Sequence, residues 1–444
     1  MKNWFDANPE IQAIRVAVSD LNGQARGKRL PAAQAEKFET DGSRCPLSAL
    51  NVDIWGEDVE DSPLLFETGD ADGVLMPTGR GPVPMPWLDT PTALCPTWMY
   101  TDAGIPFAGD PRQALASVVG QFAALGLTPV VATELEFYLV DDNDKAPRPP
   151  RSPRSGKRRT GANLLSSRML DAFDGYLTEL YDACAAMDIP ADTAISESGP
   201  GQFEINLLHQ TDPLKAADDA WLFKQMVQGL ARRQGMGASF MAKPYPDQAG
   251  NGMHIHFSLI DAEGRNVFDD GTEKGSDVLR HAVAGCLAAM SESTLIFAPH
   301  HSSYARFVSE AHAPTGIAWA YENRTAAVRI PGGPNAARRI EHRVAGGDIN
   351  PYLLFATVLG AALIGIEDEM TPPPPVSGNA YEQDLPRLAP DWETAIERFE
   401  AGKTIARILP SELVANMVRT KRQEAQKIAK LSPSEQMALY LDRV

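Results

Sequence analysis

Residues 130–140 read VVATELEFYLV, and no other segment limits the possible folds of this chain so strongly. It is an apolar strand interrupted by two glutamates two positions apart. Side chains at i and i+2 of a strand share a face. Glu134 and Glu136 therefore point the same way from a strand whose flanks want burial. Two carboxylates buried together are costly unless cations or hydrogen bonds compensate. A bound divalent cation meets that requirement; an edge strand with one solvated face is the competing reading.

Three other segments carry the same kind of residue. Residues 197–208 (ESGPGQFEINLL) put Glu197 and Glu204 on either side of a Gly-Pro-Gly bend. In residues 250–259 (GNGMHIHFSL), His254, His256 and Ser258 alternate with Ile255, Phe257 and Leu259. The two histidines can aim at one site, or be satisfied core residues. Residues 323–343 hold five arginines, Arg324, Arg329, Arg338, Arg339 and Arg343, together with Glu341. The planar guanidinium suits phosphate and carboxylate, although a salt-bridged structural strand pair would use the same residues. A carboxylate–histidine set suits Mg²⁺ or Mn²⁺ better than zinc. The chain has no Gly-x-x-x-x-Gly-Lys-Ser/Thr loop. Nucleotide phosphates would have to be held by metals and arginines.

The formal net charge of −17 argues against nucleic acid, whose binding relies on basic side chains displacing counterions. Cys45, Cys95, Cys184 and Cys286 stand far apart and read as reduced, buried thiols. The first ten residues are polar, and the longest apolar run, residues 352–366, is too short to span a bilayer. The expected setting is the cytoplasm, with no membrane partner.

A chain of 444 residues is too long for one ordinary domain. The first ~105 residues read as short strands and turns, with a strand at 14–19 and an Asn22-Gly23 turn. Residues 79–87 read as a Gly/Pro-rich connection. Asp110-Pro111 looks like the start of a helix, with an N-cap and Pro at its first position. Beyond it strands alternate with helices, and residues 391–444 read as amphipathic helices. Residues 145–159 carry seven basic side chains and read as a mobile surface insertion, or as a contact to a phosphate or a neighbouring subunit.

The segments DLNG…RGK (from Asp20), ELEF (Glu134), GPGQFE (Gly199), KP…GNGMHIH (from Lys243), NR (Asn323) and RRIEHR (Arg338) resemble glutamine synthetases of the bacterial type. They occur in that family's order and cover nearly the whole chain. The resemblance implies an α+β architecture, with an N-terminal β-grasp domain at 1–107 and a C-terminal catalytic α/β domain at 108–444, built on a curved antiparallel sheet with helices. It implies a homo-oligomeric ring, expected to be a dodecamer, with active sites between subunits. Two or more Mg²⁺ or Mn²⁺ ions would be held per site, one by Glu136, Glu197 and Glu204, the other by Glu134, His254 and Glu341. Arg306 and Arg343, with Gly250, would clamp glutamate. His256, Ser258, Arg329 and Arg339 would face the nucleotide, and Arg324 the reacting phosphate. The implied reaction is ATP-dependent and ADP-forming: a carbon–nitrogen ligase joining glutamate to an amine through γ-glutamyl phosphate. Asp53 falls where the family places an aspartate that reaches in from the adjacent subunit to take the amine's proton.

Two departures bear on the amine. His312 stands where glutamine synthetases carry the glutamate of a flap over the ammonium site, and residues 53–58 (DIWGED) replace the usual Gly-rich hairpin. Losing a carboxylate and gaining an aromatic argues for a larger amine, as in the γ-glutamylputrescine and γ-glutamylpolyamine synthetase branch. Trp55 could line an amine pocket or pack in a core or interface. A monoamine, ammonia itself, or an inactive relative serving as sensor or scaffold are the alternatives. A loop tyrosine is adenylylated in some members; Tyr381 falls near that place, and a solvent-exposed loop tyrosine is the simpler reading.

Overall fold

The computed structural model describes residues 1–141, 147–308 and 313–444. The strands are β1 (Ala13–Ser19), β2 (Ala25–Pro31), β3 (Ser43–Pro46), β4 (Asp72–Pro77), β5 (Val83–Pro84) and β6 (Thr92–Thr101) in the first part of the chain. The second part holds β7 (Thr128–Asp141), β8 (Ala191–Ser196), β9 (Gln202–Gln210), β10 (Met236–Ser239), β11 (Met253–Ile260), β12 (Trp319–Tyr321), β13 (Val328–Ile330) and β14 (Ile340–His342). Among the described residues the first sheet has the order β2-β1-β6-β4-β3, with β5 paired to β6. The short helix Ala35–Asp41 packs on β4, giving the expected β-grasp. The expected connection at 79–87 contains β5, because Val83 and Pro84 find partners along β6.

The second sheet has the order β12-β13-β14-β11-β7-β9-β8, with β10 also paired to β7. It is antiparallel except where β12 meets β13. On its covered face Val131, Leu135, Phe137, Phe203, Ile205, Ile255 and Phe257 join the main core. This is the strand alternation of period two, with every second residue turned to helices and the others left for the site.

The helix Pro351–Glu367 confirms the reading of the longest apolar run: it is buried almost throughout. It crosses the helix Asp277–Met290 at Gly285 and Gly365. A methyl group on Gly285 would sit 2.0 Å from the carbonyl oxygen of Ala361. Gly285→Ala is therefore expected to cost about 3 kcal/mol, measured as a lowered denaturant midpoint; an unchanged midpoint would mean the helices can separate freely. The helix at Pro111 forms as expected, with Asp110 accepting from Arg112 N. No helix of the described residues is long and apolar enough to cross a membrane.

The Asn22-Gly23 turn does more than reverse the chain. Asp20, fully buried, accepts from Asn22 N, Gln24 N and Arg26 Nε. Asn350 then bonds the Asp20 carbonyl, and Asn22 bonds Glu424 on the helix Ser411–Ile428. The first sheet is thus bolted to the second part of the chain by satisfied, buried polar groups.

The described part of the basic segment is not a free arm. Arg158 pairs with Asp141, and Arg151 bridges back to Arg158. All four cysteines are free and buried, as expected.

Candidate active site

The register of β14, β11, β7 and β9 builds the site. His254 lies opposite Glu134, which lies opposite Asn206. Glu136 lies opposite Glu204, and His256 is flanked by Glu341 and Ala132. Residues spread over two hundred positions thus form adjacent rows on one face of one sheet.

Glu134 is the centre of the cluster. Its two oxygens take different rings: Oε2 meets His254 Nδ1 at 2.9 Å and Oε1 meets His256 Nε2 at 3.0 Å. Burial opposes ionisation of Glu134, but the hydrogen bonds from both histidines outweigh it and hold its carboxyl well below the usual range. Burial, helped by the Arg343 charge, pushes His254 down to about 4, so its ring is neutral at pH 7. Its Nε2 is enclosed and has no partner among the described residues. A neutral imidazole nitrogen without a partner is a lone pair awaiting an acceptor of electrons.

Two other carboxylates, Glu136 and Glu204, are short of compensation. Burial and then the Glu197 charge push Glu136 up to about 7. Burial, followed by the charges of Glu136 and Glu134, pushes Glu204 up to about 9. Glu341 is held below the usual range, burial being outweighed by Arg343 and His256. It pairs with Arg329 at 2.8 Å and with Arg343. Glu134, Glu204 and His254 offer ligand atoms within 4.8 Å of one another, and so do Glu134, His256 and Glu341. Carboxylates that resist ionising together, with an unpaired imidazole nitrogen beside them, fit a divalent cation site of oxygen-rich donors.

His256, expected on the nucleotide side, lies in the cluster as well. Both rings leave one strand face, and the forked carboxylate of Glu134 reaches both. Its other nitrogen accepts from Arg339 Nε at 3.2 Å. Ser258 continues the same face one row on, half-buried. Arg329 is spanned between Glu341 and Glu322. Arg324 is exposed.

The glycines of residues 250–252 make room for Arg306. A methyl on Gly250 would meet the Arg306 stem at 3.0 Å, and one on Gly252 would lie 2.7 Å from its Nη2. Gly252 N also donates to Glu136 at 2.6 Å. Arg306 is buried, bonded to the Val344 carbonyl at 2.6 Å, and lies in the field of Glu136. Arg343 is equally buried, and its charge acts on Arg306.

Two expected site residues, Asp53 and Trp55, lie apart from this cluster. Asp53 is fully buried, and its carboxylate is taken up by Trp55 N, Glu57 N, Gln423 Nε2 and Lys427 Nζ. Within one chain it is tied to the helix Ser411–Ile428 rather than brought to the carboxylates. Trp55 packs under Lys427, whose ammonium lies 5.3 Å from the ring centroid. His312 lies outside the described residues. Tyr381 corrects the reading of a solvent-exposed loop tyrosine: it is half-buried and its hydroxyl is enclosed. The short turn Ala380–Glu382, capped by Asn379, faces it inward.

His209 was missed by sequence reasoning. An irregularity in the β7–β9 register between Val131 and Thr133 breaks the alternation of β9. His209, exposed at its edge, consequently has its pKa lowered, first by partial burial and then by the charges of His256 and Arg339. Strict alternation hides such a residue, and a bulge has no marker in this stretch.

Residues 108–440 match the family model described as glutamine synthetase, catalytic domain. The chain is 38% identical over 394 residues to the γ-glutamylputrescine synthetase PuuA of Escherichia coli (strain K12), covering 86% of this chain and 82% of that protein. It is 31% identical over 425 residues to the γ-glutamylethanolamide synthetase GlnA4 of Streptomyces coelicolor, covering 92% and 89%. A solved GmaS/ADP complex superposes with a TM-score of 0.84 at 27% identity, over 97% of each chain. With this sheet, this cluster and these relatives, the chain belongs to the glutamine synthetase family of ligases.

Proposed function

We propose that this protein joins the γ-carboxylate of glutamate to an amine, with ATP consumed to ADP and phosphate. The observation that carries the reading is the buried and half-buried cluster of Glu134, Glu136, Glu204, His254 and Glu341, with Arg306, Arg329 and Arg343 acting on it. A γ-carboxylate oxygen of glutamate attacks the terminal phosphorus of ATP, and ADP departs. The amine nitrogen then attacks the acyl carbon, phosphate leaves, and a base takes the amine's proton.

Glu136, Glu197 and Glu204 would hold one divalent cation, and Glu134, His254 and Glu341 another, with His256 close to the second. When bound, Mg²⁺ or Mn²⁺ would offset charge on the phosphate oxygens. Arg306 and Arg343 hold glutamate by its carboxylate, with Gly250 leaving space for the Arg306 stem. Arg324, Arg329 and Arg339 meet the phosphates, and His256 and Ser258 the nucleotide. Preorganised cations of this kind stabilise charge that develops in the transition state.

For the amine, putrescine or another polyamine is the favoured reading. It is supported by the similarity to a γ-glutamylputrescine synthetase and by the Trp55–Asp53–Glu57 cradle, which already holds one alkylammonium, that of Lys427. The relative named for ethanolamide keeps a small monoamine as the second reading. Asp53 would act on a neighbouring subunit's site in a homo-oligomeric ring, as would Trp55, and His312 would sit on the flap. The boundary between the β-grasp and catalytic domains is placed at 107/108. Four buried, reduced thiols are consistent with work in the cytoplasm.

Phosphate release with glutamate, ATP and Mg²⁺ should be strong with putrescine and weak with ammonium, ethanolamine or monoamines. Ammonium turnover equal to that with putrescine would discard the polyamine reading. Silence with every amine would discard the ligase.

A further inference from the structure

The loop that carries Tyr381 is built with care. Asn379 Oδ1 accepts from Tyr381 N, and its Nδ2 donates to Glu382. Asn323 Nδ2 donates to the Gly378 carbonyl, and Ala380 N donates to Thr325 Oγ1. These two bonds fasten the loop to the segment carrying Arg324. Two residues further along that segment, the Ala327 carbonyl accepts from Arg343 N. The tyrosine backbone is therefore fixed next to the strand that presents Arg343.

Its hydroxyl is the unsatisfied part. The oxygen is enclosed and has no partner among the described residues. Several other tyrosines share that feature, but their surroundings differ. Tyr245 stands near Asp141 and Arg158, and Tyr304 near Asp348 and Asp391. Tyr381 is the one, among the described residues, whose charged neighbours are Arg306 and Arg343. A buried donor costs free energy when left unpaired. Neither guanidinium bonds the hydroxyl, whose proton is left free for an acceptor, and the field of both arginines favours an anionic one.

We propose that the Tyr381 hydroxyl donates a hydrogen bond to a carboxylate of the amino-acid substrate that Arg306 and Arg343 would hold. This rests on the glutamate reading above and adds a third, neutral donor to it. A neutral donor suits the place. A third cation would repel Arg306 and Arg343, whereas a phenol adds a directed bond without charge. Tyr381 thereby helps select a carboxylate over a primary amide at the same position, which cannot accept as strongly.

The test is Tyr381→Phe, which removes one oxygen and leaves the ring. The KM for glutamate should rise about tenfold, with kcat within threefold of wild type and the KM values for ATP and amine unmoved. Calorimetric titration of glutamate without ATP should show the same loss of affinity. A glutamate KM within twofold of wild type overturns the proposal. Equal rises in the KM values for glutamate and ATP overturn it too, since they would mean a loosened loop rather than a lost bond. Wild-type protein is measured alongside. If it neither binds glutamate nor turns over, the ligase reading fails first; if it does both and the variant matches it, only the Tyr381 assignment fails.

Discussion

Replacing Glu134 with alanine is expected to lower ATP turnover by at least about 10³-fold, some 4 kcal/mol of transition-state stabilisation. Glu134 is the one carboxylate shared by both possible cation groupings among the described residues. It is also the acceptor for two buried imidazoles. Its loss removes a proposed ligand and leaves His254 Nδ1 and His256 Nε2 unpaired. Each orphaned buried group costs ~1–3 kcal/mol. The chelated protein should thus be weaker than wild type by about 2 kcal/mol or more. Phosphate release and denaturant midpoints in EDTA read both effects. Turnover within tenfold of wild type would remove Glu134 from the site.

Glu204→Gln should be as damaging to turnover and should move stability the other way. Burial, then the charges of Glu136 and Glu134, raises the Glu204 carboxyl to about 9 in the folded chain. In the unfolded chain a glutamate titrates near ~4.3. Between those values the unfolded state gives up a proton that the folded state keeps, so folding loses stability as pH rises from the lower value toward the upper. Glutamine has no proton to keep and escapes that loss. In EDTA the variant should match wild type near pH 4 and exceed it at pH 7 by on the order of 2 kcal/mol. Adding Mg²⁺ should stabilise wild type more than the variant, because an amide oxygen is a weaker ligand than a carboxylate while the proposed Glu134–His254–Glu341 site remains. Denaturation at pH 4 and pH 7, with and without metal, checks the sign. A variant less stable than wild type at both pH values would mean that Glu204 is held by bonds, not strained by neighbours.

The two variants test one idea from opposite sides. Glu134 is satisfied by the fold and serves as its own structural bond. Glu204 is not, and is kept for what binds there. Residues retained at a cost to stability are a mark of functional sites.

Much of this was legible in the chain because strands have a period of two. In residues 130–140 and 253–259, alternation alone put the carboxylates and imidazoles on one face and the core residues on the other. Asp110-Pro111 marked a helix start through local backbone chemistry, and the apolar run 352–366 marked a buried helix through composition. Such features depend on neighbours along the chain, so they can be read before any long-range pairing is known.

Which rows lie side by side was decided only by the tertiary structure. Register between β7, β9, β11 and β14 is set by long-range pairing, and it alone puts His254 against Glu134 and Glu204 against Glu136. The same holds for His209, re-aimed by an irregularity in pairing, and for Asp53, whose partners on the helix Ser411–Ile428 lie 370 residues away or more. Tyr381 turned inward because Thr325 and Asn323 anchor its loop from a distant segment. Proton affinities followed the same division. Burial and neighbouring charge, not residue type, separate a glutamate that stays ionised from one that holds its proton to about 9.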